Sequence, residues 1–150
     1  MDNLSGTGAG KILVTLALLG GLIAYWFYDA SLYAEGNNLD LTHRSFMPAS
    51  CSIMADRTSE TRESAQAHFW QGNVRIDYQL IGEKRISAHE IVKPQGADYA
   101  WRDDSGYGEL SDVKTYRILS GIALENDWFC FPWLFVDFSK FDLPGNVTFE

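Results

Sequence analysis

Cysteine, proline and positive charge are all scarce in this sequence. Only two cysteines and four prolines occur among 150 residues, and twelve lysines and arginines stand against twenty acidic residues. The cysteines lack the paired Cys-x-x-Cys spacing of zinc sites and redox-active motifs. A nucleic-acid interface needs clustered positive charge to release counterions from phosphates, which a formal net charge of -8 disfavours. We therefore expect neither a zinc site nor a nucleic-acid partner.

Helical patterning is scarce as well, because after the first thirty residues only residues 110–125 show some recurrence of apolar residues at helical spacing. Aromatic residues, by contrast, make up 14% of the chain, which is high for a globular protein. A chain of 150 residues is the size of one domain and is long enough to bury its own core. These features favour a single unit that is mainly β.

An uncharged apolar run stands near the N-terminus. Residues 12–28 read ILVTLALLGGLIAYWFY, seventeen residues without a charge, and about 20 apolar residues let a helix cross the roughly 30 Å hydrocarbon core of a bilayer. Trp26 and Tyr28 occupy the place of an interfacial aromatic belt, and Lys11 precedes the run. We predict an uncleaved transmembrane helix over 12–28, with a cytoplasmic leader over 1–11 and the C-terminal part outside the cytoplasmic (inner) membrane.

Two other interpretations of this run stay open. An N-terminal charge before an apolar core is also typical of a cleaved signal peptide, and an apolar helix can be buried inside a soluble domain. Against cleavage, the following segment YDASLYA lacks small residues at both positions of an A-x-A-like site. The stretch GTGAGK just before the run lacks the first glycine and the Ser or Thr of a phosphate-binding loop.

The glycine pair Gly20 and Gly21 lies in the middle of the predicted transmembrane helix. Small residues let the backbones of two such helices approach closely, so the pair is a candidate helix-packing site for a partner in the membrane. A pilin-like arrangement, in which the apolar helix packs into a filament core below a β-rich head, is a minor alternative.

The remaining sequence predicts a linker and one β domain. Residues 29–50 include a stretch that mixes Gly, Asn, Ser and Pro without period, and we expect a linker there, followed by an extracytoplasmic β domain over 51–150. In that domain, short alternating runs between turn residues predict an antiparallel meander. The fold class is mainly β: a curved antiparallel sheet, half-barrel-like, preceded by one transmembrane helix. The predicted strands are CSIMAD (51–56), SAQAHFWQ (64–71), NVRIDYQLI (73–81), RISAHEIV (85–92) and DYAWR (98–102), with VKTYRIL (113–119) as strand or helix.

The run NVRIDYQLI alternates most clearly, because Val74 and Ile76 share one face of a strand while the charged residues between and after them share the other. The dipeptide Gly72-Asn73 before it predicts a hairpin turn.

Aromatic residues crowd the C-terminal tail, which ends past Pro144 and Gly145 in a predicted short strand, NVTF. A sheet with one face to bury and no second helical layer needs a cover, so we predict that the tail lies along the open face as a lid. The alternatives are an exposed patch that faces the membrane or a partner, and the rim of a ligand pocket. The aromatic side chains concerned are Phe129, Phe131, Trp133, Phe135, Phe138 and Phe141.

The two cysteines, Cys51 and Cys130, are 79 positions apart. Outside the cytoplasm, two cysteines are most simply joined in a disulfide. Such a bond would fasten the aromatic tail to the first strand of the domain.

No sequence motif supports catalysis. No serine lies in a G-x-S-x-G elbow, and the acidic turn at 103–112 lacks the spacing of a calcium loop. His68 and His89 would form a metal site if they faced each other on neighbouring strands, but packed or surface histidines are the more common case. We therefore expect a protein that is not an enzyme and that holds no metal and no other cofactor.

Residues 46–149 carry one resemblance. The first-strand cysteine, the runs GNVRIDYQLIG and IVKPQGADYAWRDDSGYG, and a closing C-x-x-W with D-x-S-x-F-x-x-P-x-x-V-x-F resemble small prokaryotic envelope domains of the lipoprotein-carrier half-barrel group, LolA-like and LppX-like. The resemblance implies a curved antiparallel sheet whose concave face can hold an acyl chain. This domain departs from the carriers in being shorter and in lacking the helices that line their cavity.

The expected function follows from the anchor, the compartment and the fold. We predict a non-enzymatic single-pass membrane protein that acts as an accessory or structural subunit of a membrane or envelope complex, with protein partners for both its span and its domain. The alternative is a binding module that holds a lipid or other apolar ligand against the concave face. The candidate lining residues for that ligand are Trp70, Tyr78, Trp101 and Trp133.

Overall fold

The computed structural model describes residues 6–35, 38–41, 43, 45–56, 60–111, 118 and 128–150. It contains one long helix, α1 (Gly6–Ser31), and a short 3-10 helix (Phe138–Phe141) near the C-terminus. The strands are β1 (Ala34–Glu35), β2 (Asn38–Leu39), β3 (Ala49–Asp56), β4 (Arg62–Trp70), β5 (Asn73–Ile81), β6 (Arg85–Val92), β7 (Asp98–Arg102), β8 (Tyr107–Ser111), β9 (Phe129–Pro132) and β10 (Thr148–Phe149).

Eight of the strands form one sheet in the order β10-β8-β7-β6-β5-β4-β3-β9. Strands β3 to β8 follow one another as an antiparallel meander, in which each strand pairs with the next along the chain. At one edge β9 pairs antiparallel with β3, and at the other β10 pairs parallel with β8. The sheet is open, with β9 and β10 as its edges. The predicted fold class, mainly β with an antiparallel meander after one long apolar helix, is confirmed.

Strands β5, β6 and β7 begin and end where the sequence predicts, because turn residues bound each of them, and β5 also alternates between apolar and polar residues. Strand β8 differs from prediction, since residues from 110 onward show weak helical spacing in the sequence. Its run YGELS is paired with β7 residue by residue, from Asp98 opposite Ser111 to Trp101 opposite Gly108. The predicted element at 113–119 lies outside the described residues except for Ile118.

The hairpin turn between β4 and β5 lies one residue earlier than the sequence predicts. Its two central residues are Gln71 and Gly72, with φ of 49° and 78°, as a type I′ turn requires. Asn73 instead opens β5 opposite Trp70, and its side-chain amide donates to the Trp70 carbonyl oxygen at 3.0 Å. Positive φ at both positions gives the turn a backbone twist that matches the twist of the two strands it connects.

One face of the sheet, here called the core face, carries the hydrophobic core. Its buried residues come from β3 to β6 and include Cys51, Val74 and Ile76. The chain at the end of α1 covers this face: Ala30 and Tyr33 are buried in the core, and the Tyr33 ring stacks on Phe69 with centroids 4.1 Å apart. Residues 29–50, predicted as a linker, therefore contribute to the folded domain at both ends, since Ala49 is also buried in the core.

The opposite face, here called the polar face, carries Arg75, Asp77 and His89 and is covered in part by the C-terminal tail. Among the tail aromatics Phe141 is buried and Trp133 is half-buried, whereas Phe129 and Phe135 are 70% and 90% exposed. The tail thus covers the polar face, not the apolar one that the lid prediction assigns to it. The reason is topological: β9 lies at the edge beside β3, and the chain then returns across the polar face to reach β8 at the other edge.

Candidate functional site

The junction between α1 and the sheet is the first candidate site. The indole N–H of Trp26 donates to the carbonyl oxygen of Pro48 at 3.1 Å, and the backbone N–H of Trp133 donates to the same oxygen at 3.0 Å. The helix also contacts β9 directly. A single carbonyl oxygen thereby ties the last turns of the helix, the segment before β3 and the tail into one assembly.

A buried carboxylate completes this junction. Asp29, in the last turn of α1, accepts hydrogen bonds from the Ser45 hydroxyl and from Nε2 of His43, the latter at 3.2 Å. The Ser45 backbone N–H donates to the Tyr33 hydroxyl at 3.2 Å. Burial raises the pKa of Tyr33, against a smaller opposite effect of the hydrogen bond from Ser45. Because a buried carboxylate is costly unless it is hydrogen-bonded, these partners hold the last turn of α1 against the segment that leads into β3.

The apolar side chains of α1 are exposed along most of the helix, outside the β domain. Residues Gly10–Ser31 form a 22-residue span that is long and apolar enough to cross a membrane, and its most apolar stretch of 18 residues, with mean hydropathy 1.7, is not buried by the domain. A core helix of a soluble domain would be buried, so that interpretation does not fit, whereas a signal sequence near the N-terminus has the same length and composition. At Gly20 and Gly21 an added Cβ would meet nothing within 4 Å. The glycine pair is therefore on the free surface of the helix.

The predicted disulfide is confirmed. Cys51 on β3 and Cys130 on β9 are directly opposite in the strand register, with their Cα atoms 4.0 Å apart and their sulfur atoms bonded. The bond lies on the core face, among buried residues. It fastens an edge strand of four residues to the long strand β3.

An ion-pair network lies in the middle of the polar face. Asp77 Oδ1 accepts a hydrogen bond from Nε of Arg75 at 2.7 Å and lies 2.7 Å from Nδ1 of His89. Nε2 of His89 lies 2.9 Å from Oδ1 of Asp103, and the Arg75 guanidinium lies over the Trp101 ring at 4.6 Å. Burial would raise the pKa of Asp77, but hydrogen bonds from His89 and Arg75 outweigh burial and hold this pKa below its usual range.

The tail adds a cation to this network. Nζ of Lys140 lies 3.0 Å from Nε2 of His68 and 3.8 Å from Oδ2 of Asp77, and the Trp133 ring stacks on His68 with centroids 4.5 Å apart. Burial, and secondarily the charge of Lys140, lower the pKa of His68 to about 4. His68 is thus a neutral acceptor for the lysine, while its Nδ1 has no partner among the described residues.

The two histidines considered as metal ligands do not meet. His68 is on β4 and His89 on β6, so β5 with Arg75 and Asp77 runs between them. The described residues contain no group of three or more His, Cys, Asp or Glu that could hold a metal ion. The partners of both histidines are a lysine, an arginine and carboxylates, which form an ion-pair network and lack the nucleophile of a catalytic triad. The absence of enzymatic activity stays a prediction.

A cleft of about 520 Å³ opens on the polar face beside β9. Hydroxyl and amide side chains form much of its wall, together with the exposed ring of Phe129. The residues that line it are Ser52, Ile53, Ser64, Ala65, Gln66, Gln79 and Phe129.

The four residues predicted to line an apolar ligand site are divided between the two faces. Tyr78 packs against the core, because it shares the register of Ala65 and Ala88 on the core face. The other three lie on the polar face in separate contacts: Trp70 with Phe138, Trp101 with His89 and Phe149, and Trp133 with His68 and Phe141.

The junction residues Asp29, Ser45 and Pro48 are not among the sites that the sequence predicts, and neither is Lys140. Lys140 lies between Phe138 and Phe141, but this spacing carried no signal, because Phe138 is exposed and only the fold buries Phe141. The role of Pro48 had none, because a backbone carbonyl is the same in every residue.

No protein-family model matches the chain, and neither a curated protein nor a solved structure matches it. The resemblance to the lipoprotein-carrier half-barrels accordingly stays a prediction.

Proposed function

We propose that this chain is a non-enzymatic, single-pass membrane protein whose β domain lies outside the cytoplasmic membrane and serves as an accessory or structural subunit of a membrane or envelope complex. One observation carries the proposal: the apolar helix is built into the domain at one end and free along the rest of its length. Asp29 and Trp26 are hydrogen-bonded to the segment that leads into β3, while the span below them is unburied. Such a helix holds its domain at a defined place on the membrane.

A free glycine pair supports a partner within the membrane. Gly20 and Gly21 make no contact that an added Cβ would disturb, so the domain does not need them for its own packing. Small residues of this kind allow another helix to approach the backbone closely. The same surface would pack in a filament core in the minor, pilin-like alternative.

A second candidate function is the binding of a small ligand, and the cleft beside β9 favours it. Its volume of about 520 Å³ falls within the range of about 300–1,000 Å³ that is typical of ligand sites. Serine and glutamine side chains with one exposed ring suit a ligand that has polar groups and an apolar face. A lipid-carrier role, as the half-barrel resemblance implies, would need the acyl chain to lie along Phe129 and the polar face.

The test is purification of the tagged full-length protein from native membranes in gentle detergent, with mass spectrometry of co-purifying proteins and lipids. Stoichiometric protein partners without an enriched lipid are expected. A lone protein that carries a defined lipid or small ligand would overturn the subunit proposal in favour of the binding module. A homopolymer would support the filament alternative.

Variants of the helix make this test specific. Substitution of both glycines by leucine, Gly20→Leu with Gly21→Leu, is expected to remove most of the partner while leaving the domain folded, because neither position contacts the domain. The matched control is Leu22→Phe, which also adds volume but lies about 150° around the helix from the middle of the pair. Equal partner recovery in both variants would contradict packing through the glycines.

A further inference from the structure

Three large apolar side chains near the helix–domain junction are exposed. Phe46 is 94% exposed, Leu134 is 63% exposed and Phe135 is 90% exposed. We call these three residues the collar. Exposed apolar residues that stand alone are ordinary on protein surfaces, whereas a group at one place marks a surface that contacts something apolar.

The Pro48 carbonyl places the collar at the level of the helix end. Both Trp26 and Trp133 donate to that oxygen, so their donor nitrogens are no more than about 6 Å apart. Leu134 and Phe135 directly follow Trp133, and Phe46 stands two residues before Pro48. The collar is thus tied through backbone neighbours to Trp26.

Trp26 lies inside the apolar span and not beyond it. The span runs from Gly10 to Ser31, and at a rise of 1.5 Å per residue Trp26 is about 7.5 Å before its end. Tryptophan is enriched at the boundary between hydrocarbon and water, where its ring is in an apolar layer and its N–H finds a polar partner. When the span crosses a bilayer, the side chains tied to Trp26 therefore meet the outer interfacial layer.

The net charge of the chain helps to decide how the collar would contact a membrane. The chain has a net charge of -8, so attraction between basic residues and anionic headgroups is not what would hold the domain to a membrane. Apolar insertion remains as the source of contact, and phenylalanine and leucine are residues that interfacial segments use for it.

We propose that Phe46, Leu134 and Phe135 insert into the outer interfacial layer of the same bilayer that holds α1, so that the β domain is docked on the membrane and not held above it. This inference rests on the proposed function, because it needs α1 to span. The helix supplies one attachment and the collar a second beside it, which together restrict rotation of the domain about the helix axis.

The experiment uses the full-length protein, purified and reconstituted alone in phosphatidylcholine nanodiscs, with a nitroxide spin label on one added cysteine while the native pair stays oxidised. Phe135→Cys reports on the collar. Tyr107→Cys is the matched control, since this residue is also aromatic and is 69% exposed, but lies on β8, six strand spacings from β9 and thus about 29 Å away across the sheet. Gly21→Cys reports on the span.

Relaxation by oxygen, which concentrates in lipid, is compared with relaxation by a water-soluble nickel complex. At position 135 the oxygen-to-nickel ratio is expected to be several-fold higher than at position 107 and lower than at position 21. If positions 135 and 107 give the same aqueous ratio while position 21 is in lipid, the collar proposal is overturned and the anchored function stands. If position 21 is also aqueous, the span and the collar proposal both fail.

Substitution of the other two collar residues provides a second measurement. The double variant Phe46→Ser with Leu134→Ser, labelled at position 135, is expected to lose part of the oxygen-to-nickel difference, because the label would then be the only apolar group left in the collar. The fold is expected to persist, since both side chains are exposed. An unchanged ratio at position 135 would contradict a joint insertion of the three residues.

Discussion

Lys140 shows how one side chain of the tail organises the polar face. It comes from a segment 72 residues after His68, and its ammonium group lies 3.0 Å from His68 Nε2 and near the Asp77 carboxylate. A buried neutral imidazole can accept a hydrogen bond from an ammonium group, whereas a protonated one would repel it. The protonation state of His68 is therefore coupled to the docking of the tail.

We predict that the domain loses stability as the pH falls from about 6.5 to about 4. The pKa of His68 is lowered from 6.5 to about 4 on folding, so between these values the unfolded chain binds a proton that the folded chain does not. The contribution of His68 to the free energy of unfolding is then fully present above pH 6.5. It decreases toward pH 4, by about 3 kcal/mol in total. Below that range Asp77, whose folded pKa is held below 3.8, adds a further loss.

The measurement is the midpoint of thermal unfolding, followed by tryptophan fluorescence in detergent micelles at a series of pH values. His68→Gln is expected to flatten the dependence between pH 6.5 and 4. The control Arg102→Gln removes an exposed ion pair with Asp104 and should leave the slope unchanged. A slope that persists in His68→Gln would mean that another group is responsible.

At the scale of elements, β9 is a short edge strand, and among the strands of the eight-stranded sheet only β10 is shorter. It has four residues and lies at an edge, where it is paired with β3, and a strand that short gains little from its own ladder. Its disulfide to Cys51 joins residues 79 apart in sequence. The positions of the tail, the Pro48 junction and the collar all depend on the position of this strand.

Reduction of the disulfide, or Cys51→Ala with Cys130→Ala, is predicted to destabilise the domain by about 2–5 kcal/mol, as is typical for removal of a native disulfide. The effect should be uneven. Hydrogen exchange is expected to rise most at Phe129–Pro132 and in the following tail, and least in β5 and β6, which are paired on both sides. Uniform loss of protection across the sheet would show that β9 is not a separate unit.

At the scale of the whole molecule, one apolar helix divides the chain into a short N-terminal segment and a disulfide-closed domain. An oxidised cysteine pair is typical of a compartment outside the cytoplasm, and Lys11 stands on the N-terminal side of the span. Both features favour the orientation that we predict, with the N-terminus inside.

We predict that Tyr107→Cys is labelled by a membrane-impermeant maleimide once the space outside the cytoplasmic membrane is accessible, and that Asp2→Cys is labelled only after the membrane is permeabilised. The reverse pattern would overturn the orientation. The intact mass of the purified protein gives an internal check, because loss of the first thirty or so residues would show that the apolar run is a cleaved signal sequence.

The sequence by itself determined the local elements and their class. Strands β5 to β7 could be placed because the alternation of β5 and the turn residues that bound all three strands are local features of the sequence. The apolar helix could be placed because its length and composition are also local. The disulfide could be predicted from the number of cysteines and from the expected location outside the cytoplasm, since two cysteines allow only one intramolecular bond. Tyr107–Ser111, without a clear period, became a strand through its pairing with β7 on one side and β10 on the other.

Only the tertiary structure decided which face each element covers. The sequence shows that a lid is needed, but not that Ala30 and Tyr33 cover the core face while the tail covers the polar face. The Pro48 carbonyl joins Trp26 to Trp133 across more than a hundred residues, a meeting that no local pattern encodes. The physical reason is that side-chain periodicity specifies two faces for a strand, while the order of strands in the sheet determines what reaches each face.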